Sequence, residues 1–199
     1  MELNSDWWNN RYTDQSTTWD AGSITTPLEE YIDQLTNKQI KVLIPGCGNS
    51  YEAAYLLKKG FPLISMLDIS SVLCDLLQQK FAAVPGTRVN IICDDFFNHK
   101  GTYDLIIEQT FFCALNPDKR ISYIEKMHNL LMPGGKLIGL LFDRDFVDGP
   151  PFGGSIEEYK SLFGNKFLIN KMEPCYNSIP QRSGTELFIN LRPKEQVGK

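Results

Sequence analysis

Histidine is almost missing from this chain: His99 and His128 are the only two in 199 residues, and neither has a second histidine or a cysteine at ligand spacing. That scarcity argues against a metal centre and casts each histidine as a surface or packing residue. Cysteine is present but unpaired in pattern. The five, at positions 47, 74, 93, 113 and 175, are odd in number, widely spaced and without a C-x-x-C, so neither a disulfide framework nor a zinc site is indicated, and a reducing cytoplasm fits best. Long apolar runs are missing too. No uncharged stretch exceeds ten residues, whereas a membrane-spanning helix needs about twenty. The start MELNSDWWNN lacks the basic-then-apolar order of a signal peptide, which predicts an unexported, soluble protein. There is no excess of positive charge either: 20 Lys and Arg face 24 Asp and Glu, a formal net charge of −4, which argues against a coat for nucleic acid or anionic membrane. Internal repeats, low-complexity tracts and flexible linkers are likewise lacking.

What is present is an average soluble composition, 42% hydrophobic and 22% charged. A chain of this length buries roughly 70% of the surface its unfolded form exposes, so one domain spanning 1–199 is expected to build its core unaided. From Lys41 onward, short apolar runs alternate with segments of helical period. Lys41–Pro45, Leu63–Asp68, Val89–Asp94, Tyr103–Gln109 and Lys136–Phe142 read as strands apolar on both faces, as a sheet covered by helices requires. Between them, Asn49 with Glu52 resembles a capping box ahead of one helix ending near Gly60. Ser70 or Ser71 caps a second, with Val72, Leu73, Leu76 and Leu77 on one face. Asn116-Pro117 opens a third, with Ile121, Ile124, His128 and Leu131 at helical spacing, closed by Pro133-Gly134-Gly135. After Phe142 come a Gly/Pro-rich loop (148–154), a short helix near 155–163, and two last strands around Phe167 and Leu187 that form a hairpin-like edge. Strand and helix in this alternation predict a doubly wound α/β domain with a mostly parallel sheet. Residues 1–40 differ in character, with Trp7, Trp8, Tyr12 and Trp19 crowded together and no clear strand.

In such a sheet, ligands bind beyond the carboxyl ends of the strands, where strand order reverses. The first strand runs into Gly46-Cys47-Gly48-Asn49, a glycine turn feeding a helix; it either serves turn geometry alone or lets backbone N–H groups approach a ligand. The second strand ends in Asp68, twenty residues past Gly48, followed by Ile69. A carboxylate there either caps the next helix or accepts hydrogen bonds from the ribose hydroxyls of a nucleoside cofactor. A dinucleotide fingerprint wants a third glycine at position 51, and this chain has Tyr51, which counts against a nicotinamide-dependent oxidoreductase. The third strand ends in Asp94-Asp95-Phe96, acids that either cap a turn or hold an adenine amino group under an aromatic cover.

These residues resemble a class I S-adenosylmethionine-dependent methyltransferase, and more narrowly the thiopurine S-methyltransferase superfamily with its thiol and halide methyltransferases. The resemblance is carried by Trp8-x3-Tyr12, Trp19-Asp20-Ala21-Gly22, VLIPGCGNSYE, LDIS, DDFF, EQTFFCALNP, LLMPGGKL, GPPFGG and IPQRSGTE, over nearly the whole chain. It implies a Rossmann-like, seven-stranded sheet with helices on both faces and an antiparallel last strand. It further implies that Gly46, Cys47 and Gly48 line the methionine part of the cofactor, that Asp68 and Ile69 border the ribose, and that Asp94, Asp95 and Phe96 face adenine. Glu108 and Thr110 would border the methyl group. Residues 1–40 would form a lid, with Trp8, Tyr12 and Trp19 near the sulfonium; the family usually carries Trp at the position of Tyr12. Aromatic faces suit a sulfonium cation, although the same tryptophans can simply plug the open side of the sheet.

No residue constellation for general base or nucleophilic catalysis is evident, so positioning is expected to carry the reaction, in a pocket of Gln109, Phe111, Phe112 and Phe152, unless these phenylalanines are core, with Arg144 and Arg182 either drawing an anionic acceptor or serving as surface residues. Plant-type halide and thiol enzymes carry Tyr where this chain has Gln109 and Phe152, which leaves thiols, hydrosulfide and heteroaromatic thiols as acceptors and halide open. The expected partners are the cofactor and a small-molecule acceptor, without nucleic acid, membrane or metal. The competing functions are a methyltransferase-fold protein acting on another small molecule and a non-catalytic S-adenosylmethionine-binding module.

Overall fold

The computed structural model describes residues 2–82 and 88–195. Met1 of the expected lid segment and residues 196–199 of the expected domain lie outside them, as does the 83–87 connection. The chain folds as two compact units, Met1–His99 and Lys100–Lys199.

The first unit begins with two helices, α1 (Ser5–Thr13) and α2 (Thr26–Asp33). It continues as β1 (Val42–Pro45), α3 (Tyr51–Lys58), β2 (Leu63–Asp68), α4 (Ser71–Phe81) and β3 (Arg88–Cys93). β1 is buried throughout, as a strand covered on both faces must be. β1 pairs with β2 and β2 with β3, both parallel. Leu28, Ile32, Leu43, Leu56, Ile64 and Met66 form the core of this unit. Ser70 caps α4 as the sequence predicts, its hydroxyl accepting from the Leu73 N–H at 3.2 Å. The capping box at Asn49 does not form. Ser50 holds the cap position in a left-handed conformation without a side-chain bond, because the Asn49 amide is drawn away to Asp20. On α4 the buried face is Leu73, Cys74, Leu77 and Phe81, and Leu76, expected inside, is 50% exposed.

The second unit contains β4 (Tyr103–Gln109), α5 (Arg120–Leu130), β5 (Leu131–Phe142), α6 (Ile156–Gly164), β6 (Phe167–Pro174) and β7 (Glu186–Pro193). Its core is aromatic: Phe112, Tyr123, Tyr159, Phe163 and Phe167 are all fully buried. Pro133-Gly134-Gly135 was expected to separate helix from strand, yet β5 begins at Leu131 and runs through it. A register shift between Tyr103 and Leu105 on the facing β4 absorbs the irregular segment, which is how proline and glycine are accommodated within a sheet. Ile121 is exposed; the inward face of α5 is Arg120, Tyr123, Ile124, Met127, His128 and Leu130. His128 packs edge-on against Phe167 and bonds the Lys194 carbonyl at 2.9 Å, a packing residue as expected.

Among the described residues there are seven strands, in the order β3-β2-β1 in the first unit and β4-β5-β7-β6 in the second. β4 and β5 are parallel, while β7 runs antiparallel to both β5 and β6, so the last strand is reversed as the resemblance implied and β6–β7 form the edge hairpin. Among the described residues no helix is long and apolar enough to cross a membrane.

Candidate functional site

The chain leaves β1 through a turn in which Gly46 (φ 55°) and Gly48 (φ 49°) both adopt the left-handed conformation that glycine enters without steric cost. The Cys47 N–H donates to the Leu67 carbonyl at 3.1 Å, tying this turn to the end of β2. The next residue, the last of β2, is Asp68, 8% exposed. Its Oδ1 accepts the Ser70 N–H at 3.0 Å and its Oδ2 the Gly48 N–H at 3.4 Å. Burial outweighs these bonds and pushes its pKa from 3.8 up to about 6. The Ile69 backbone N–H also favours the ionised form; a carboxylate offers about four acceptor positions, so these donors leave it with some unused capacity. Ile69, half-buried, separates it from the cap residue Ser70.

The N-terminal aromatics converge on this place. The Tyr12 hydroxyl stands 3.7 Å from where a Cβ on Gly48 would lie. Burial, with the negative charge of Asp68 beside it, raises the Tyr12 phenol far above its usual pKa, so it stays neutral. Trp19 meets Tyr12 and Trp8 edge-on at 6.0 and 5.5 Å between ring centroids, and Trp7 meets Trp8 at 4.6 Å. Two polar clasps hold the segment down. Asn9 Oδ1 accepts the Ser70 hydroxyl at 2.8 Å and the Val72 N–H at 3.3 Å, fastening α1 to the start of α4. Asp20 accepts from Asn49, from the Tyr51 hydroxyl at 3.1 Å and from the Gly22 N–H at 2.8 Å. Asn9 and Asp20 were not singled out from the sequence; Asp20 within Trp-Asp-Ala-Gly was the available signal.

After β3, Asp94 is exposed and Asp95 Oδ1 takes the Phe97 N–H at 2.8 Å, closing its own turn. Phe96, expected over adenine, is 3% exposed and belongs to the core. The half-buried ring here is Phe97, edge-on to Phe96 at 5.3 Å. The Cys47 thiol is buried and its pKa raised by that burial, leaving it a protonated lining group.

In the second unit, Glu108 ends β4 with no exposed surface. Its Oε1 accepts the N–H groups of Phe111 (2.9 Å) and Phe112 (3.0 Å), and its Oε2 the Tyr123 hydroxyl. Burial raises its pKa, and these donors pull the other way. Thr110 sits at φ 58°, a left-handed conformation that costs a β-branched residue of order 1–3 kcal/mol. Gln109 and Phe111 on either side are half-buried. Phe152 lines a cavity of about 420 Å³ together with Pro117, Arg120, Asp145, Phe146 and Asp148. Of the two arginines expected to draw an anion, Arg144 is exposed and stacks over Phe146 at 4.7 Å. Arg182 is buried and faces Glu186 at 3.4 Å, so its charge is offset within the fold. The arginine that sequence reading missed is Arg120, 5% exposed, which bonds the Gly153 carbonyl and Glu158 at 2.5 Å and lies 5.1 Å from the Phe112 ring.

Comparison with known proteins decides the family. The family model described as Thiopurine S-methyltransferase (TPMT) matches residues 3–186. The chain belongs to the thiopurine S-methyltransferase family. It is accordingly an S-adenosylmethionine-dependent methyltransferase. Relatives in this family include a probable thiol methyltransferase 2 of Arabidopsis thaliana, 31% identical over 81% of this chain and 73% of the relative. A thiocyanate methyltransferase 1 of the same plant is 27% identical over 90% and 81%. A thiopurine S-methyltransferase of Marinobacter nauticus is 24% identical over 85% and 86%. Among solved structures, the CcbJ methyltransferase of Streptomyces caelestis superposes with a TM-score of 0.76 at 14% identity, over 98% of this chain and 100% of that one. The 1,6-didemethyltoxoflavin-N1-methyltransferase of Burkholderia thailandensis, solved with S-adenosylhomocysteine, gives 0.75 at 18% over 96% and 87%. At such identities the likeness establishes the class I methyltransferase fold of this thiopurine S-methyltransferase family member.

Proposed function

We propose that this protein transfers the methyl group of S-adenosylmethionine to a small sulfur nucleophile, a thiol, hydrosulfide or heteroaromatic thiol, with residues 1–40 acting as its lid and 1–199 as one catalytic domain. The observation that carries the cofactor assignment is Asp68: a buried carboxylate with acceptor capacity to spare, next to a left-handed glycine turn and close enough to Tyr12 for its charge to act on the phenol. These residues fit the group. Asp68 would take the two ribose hydroxyls, with Ile69 alongside; the backbone of Gly46, Cys47 and Gly48 would border the methionine part; Asp94, Asp95 and Phe97, in place of core Phe96, would border adenine. Trp8, Tyr12 and Trp19 would face the sulfonium, whose charge their ring faces attract. Thr110, Gln109, Phe111 and Phe152 would line the acceptor's path.

S-adenosylmethionine supplies an electrophilic methyl carbon bonded to a positively charged sulfur. The chain's task is to hold that carbon in line with the acceptor sulfur and to exclude water while the new S–C bond forms and the old bond's electron pair returns to the cofactor sulfur. The acceptor's proton leaves to solvent beforehand, since the neutral Tyr12 phenol and the buried Cys47 thiol are poor bases. Alignment of this kind can supply roughly 7–11 kcal/mol of the barrier. Five free cysteines support operation in a reducing cytoplasm. The test is purified protein with labelled S-adenosylmethionine against hydrosulfide, alkyl and aromatic thiols, iodide, and phenol and amine controls. Labelled thioethers are expected; methylation of the phenol or amine alone would overturn the assignment.

A further inference from the structure

Thr110 marks a place where the fold tolerates strain. A β-branched residue at φ 58° persists only where its surroundings leave no alternative, and such outliers gather at functional sites. Glu108 provides those surroundings. One carboxylate oxygen gathers the N–H groups of Phe111 and Phe112, which fixes the turn immediately after Thr110, and the other is anchored by the hydroxyl of fully buried Tyr123 on α5. Gly139 on β5 pairs in register with Glu108, and a Cβ there would lie 2.2 Å from the Glu108 carbonyl oxygen, so β5 approaches as only glycine allows. The turn hands the constraint onward. Beyond it the Cys113 carbonyl accepts the Phe152 N–H at 2.6 Å, tying the turn to the loop from which Asp145, Phe146, Asp148, Phe152 and Gly153 line the 420 Å³ cavity. The Phe112 ring closes the arrangement from below, packed edge-on against Tyr123 at 4.9 Å and Tyr159 at 5.6 Å.

We propose that Glu108 is a positioning residue for the acceptor: its carboxylate holds the Thr110 turn in the left-handed geometry and, through Cys113 and Phe152, sets the shape of the acceptor loop. The proposal rests on the reading that Gln109, Phe111 and Phe152 line the acceptor's path. It replaces the role that the resemblance implies, bordering the methyl group, because a carboxylate engaged by three protein donors and without exposed surface presents no open face to a ligand.

The test compares Glu108→Gln, Tyr123→Phe and the double variant Glu108→Gln with Thr110→Gly. For each, S-adenosylhomocysteine affinity is measured by calorimetry, kcat and KM with a small thiol, and amide hydrogen exchange at Phe111, Phe112 and Phe152. Glu108→Gln is expected to raise the acceptor KM about tenfold, to leave S-adenosylhomocysteine affinity within about twofold and to speed exchange at all three amides. Tyr123→Phe should do the same to a smaller degree. Thr110→Gly in the Glu108→Gln background should recover part of the acceptor KM, since glycine takes the turn's conformation without a holder. S-adenosylhomocysteine affinity falling in step with turnover would overturn the proposal, and so would an unchanged acceptor KM or unchanged exchange at Phe152. Should Glu108→Gln not fold, Tyr123→Phe decides by the same criteria. If the parent protein methylates no thiol, the functional reading fails by itself, and exchange at Phe152 still decides whether Glu108 holds the loop.

Discussion

Two buried carboxylates stand at or beside the ends of two strands, one in each unit, and their surroundings differ. Asp68, at the end of β2, is met by the backbone N–H groups of Ser70, Gly48 at 3.4 Å and Ile69, and keeps some surface open. Glu108, next to last in β4, has no exposed surface and takes two N–H groups and a tyrosine hydroxyl. Burial raises the pKa of both. What separates the two is therefore the surface left open: Asp68 keeps 8% of its surface exposed and Glu108 keeps none, so of the two Asp68 is the one a ligand can reach.

The contrast breaks most visibly at Asp68. Asp68→Ala removes two charged acceptors for ribose hydroxyls, each worth about 1.5–3 kcal/mol, and should weaken S-adenosylhomocysteine binding ~100-fold by calorimetry. The unliganded fold should survive or gain stability, because the folded protein no longer holds a buried charge. A normal melt with parental affinity would reduce Asp68 to a turn acid.

Acidity sharpens the same comparison. The folded pKa of Asp68, about 6, lies above its ordinary 3.8, so the unliganded chain binds this proton more readily folded than unfolded. Its contribution to stability is then greatest below 3.8 and is lost as pH climbs through 6. Cofactor binding runs the other way, since ribose hydroxyls need an ionised acceptor: affinity should be level above pH 7 and fall about tenfold per unit below 6. Affinity that stays flat to pH 5 would show that the carboxylate takes no part.

Above pH 7 the acceptor should take over. With Tyr12 and Cys47 both raised by burial, no titrating base is offered by these groups. For a thiol of pKa about 8.5, kcat/KM should rise almost tenfold per unit up to that pKa, and an aromatic thiol of lower pKa should level off earlier. A bend at one shared pH for both thiols would reveal a protein group in the chemistry.

How far these differences were legible follows from their reach along the chain. β2 and β4 lie where Leu63–Asp68 and Tyr103–Gln109 predicted, because buried parallel strands write themselves as unbroken apolar runs. Asp68 was legible for the same reason: its signal is a local register of strand, glycine turn and acid. Glu108 lies in β4 where it was expected, but its surroundings come from Tyr123 and Gly139 on other elements, which its own neighbourhood in sequence does not show. Gly139 inside Leu-Ile-Gly-Leu-Leu-Phe was a usable sign of close approach. Phe96 and Phe97 are adjacent aromatics on opposite sides of one turn, and composition alone does not say which faces inward. The start of β5 at Leu131 depended on a bulge set by its neighbour, and Asn9 carries no pattern until α4 is beside it.

That last contact gives the smallest expected effect and separates lid from plug. Asn9 joins α1 to α4 through the Ser70 hydroxyl and the Val72 N–H, and α1 itself contributes no buried residue. A segment held by polar bonds and half-buried rings can open locally without unfolding the sheet. Asn9→Ala removes bonds worth about 1 kcal/mol net, so turnover should fall roughly fivefold if closure of this segment completes the site. The melting temperature should stay within about 2 °C, because opening of α1 alone does not enter the global transition. Amide exchange along α1 should quicken while exchange in β1 and β2 holds. A plug behaves otherwise: its loosening exposes the sheet, the melting temperature drops, and activity per folded molecule is unchanged. Melting, exchange and turnover measured on this one variant therefore assign Trp8, Tyr12 and Trp19 either to a moving lid or to a fixed part of the first unit.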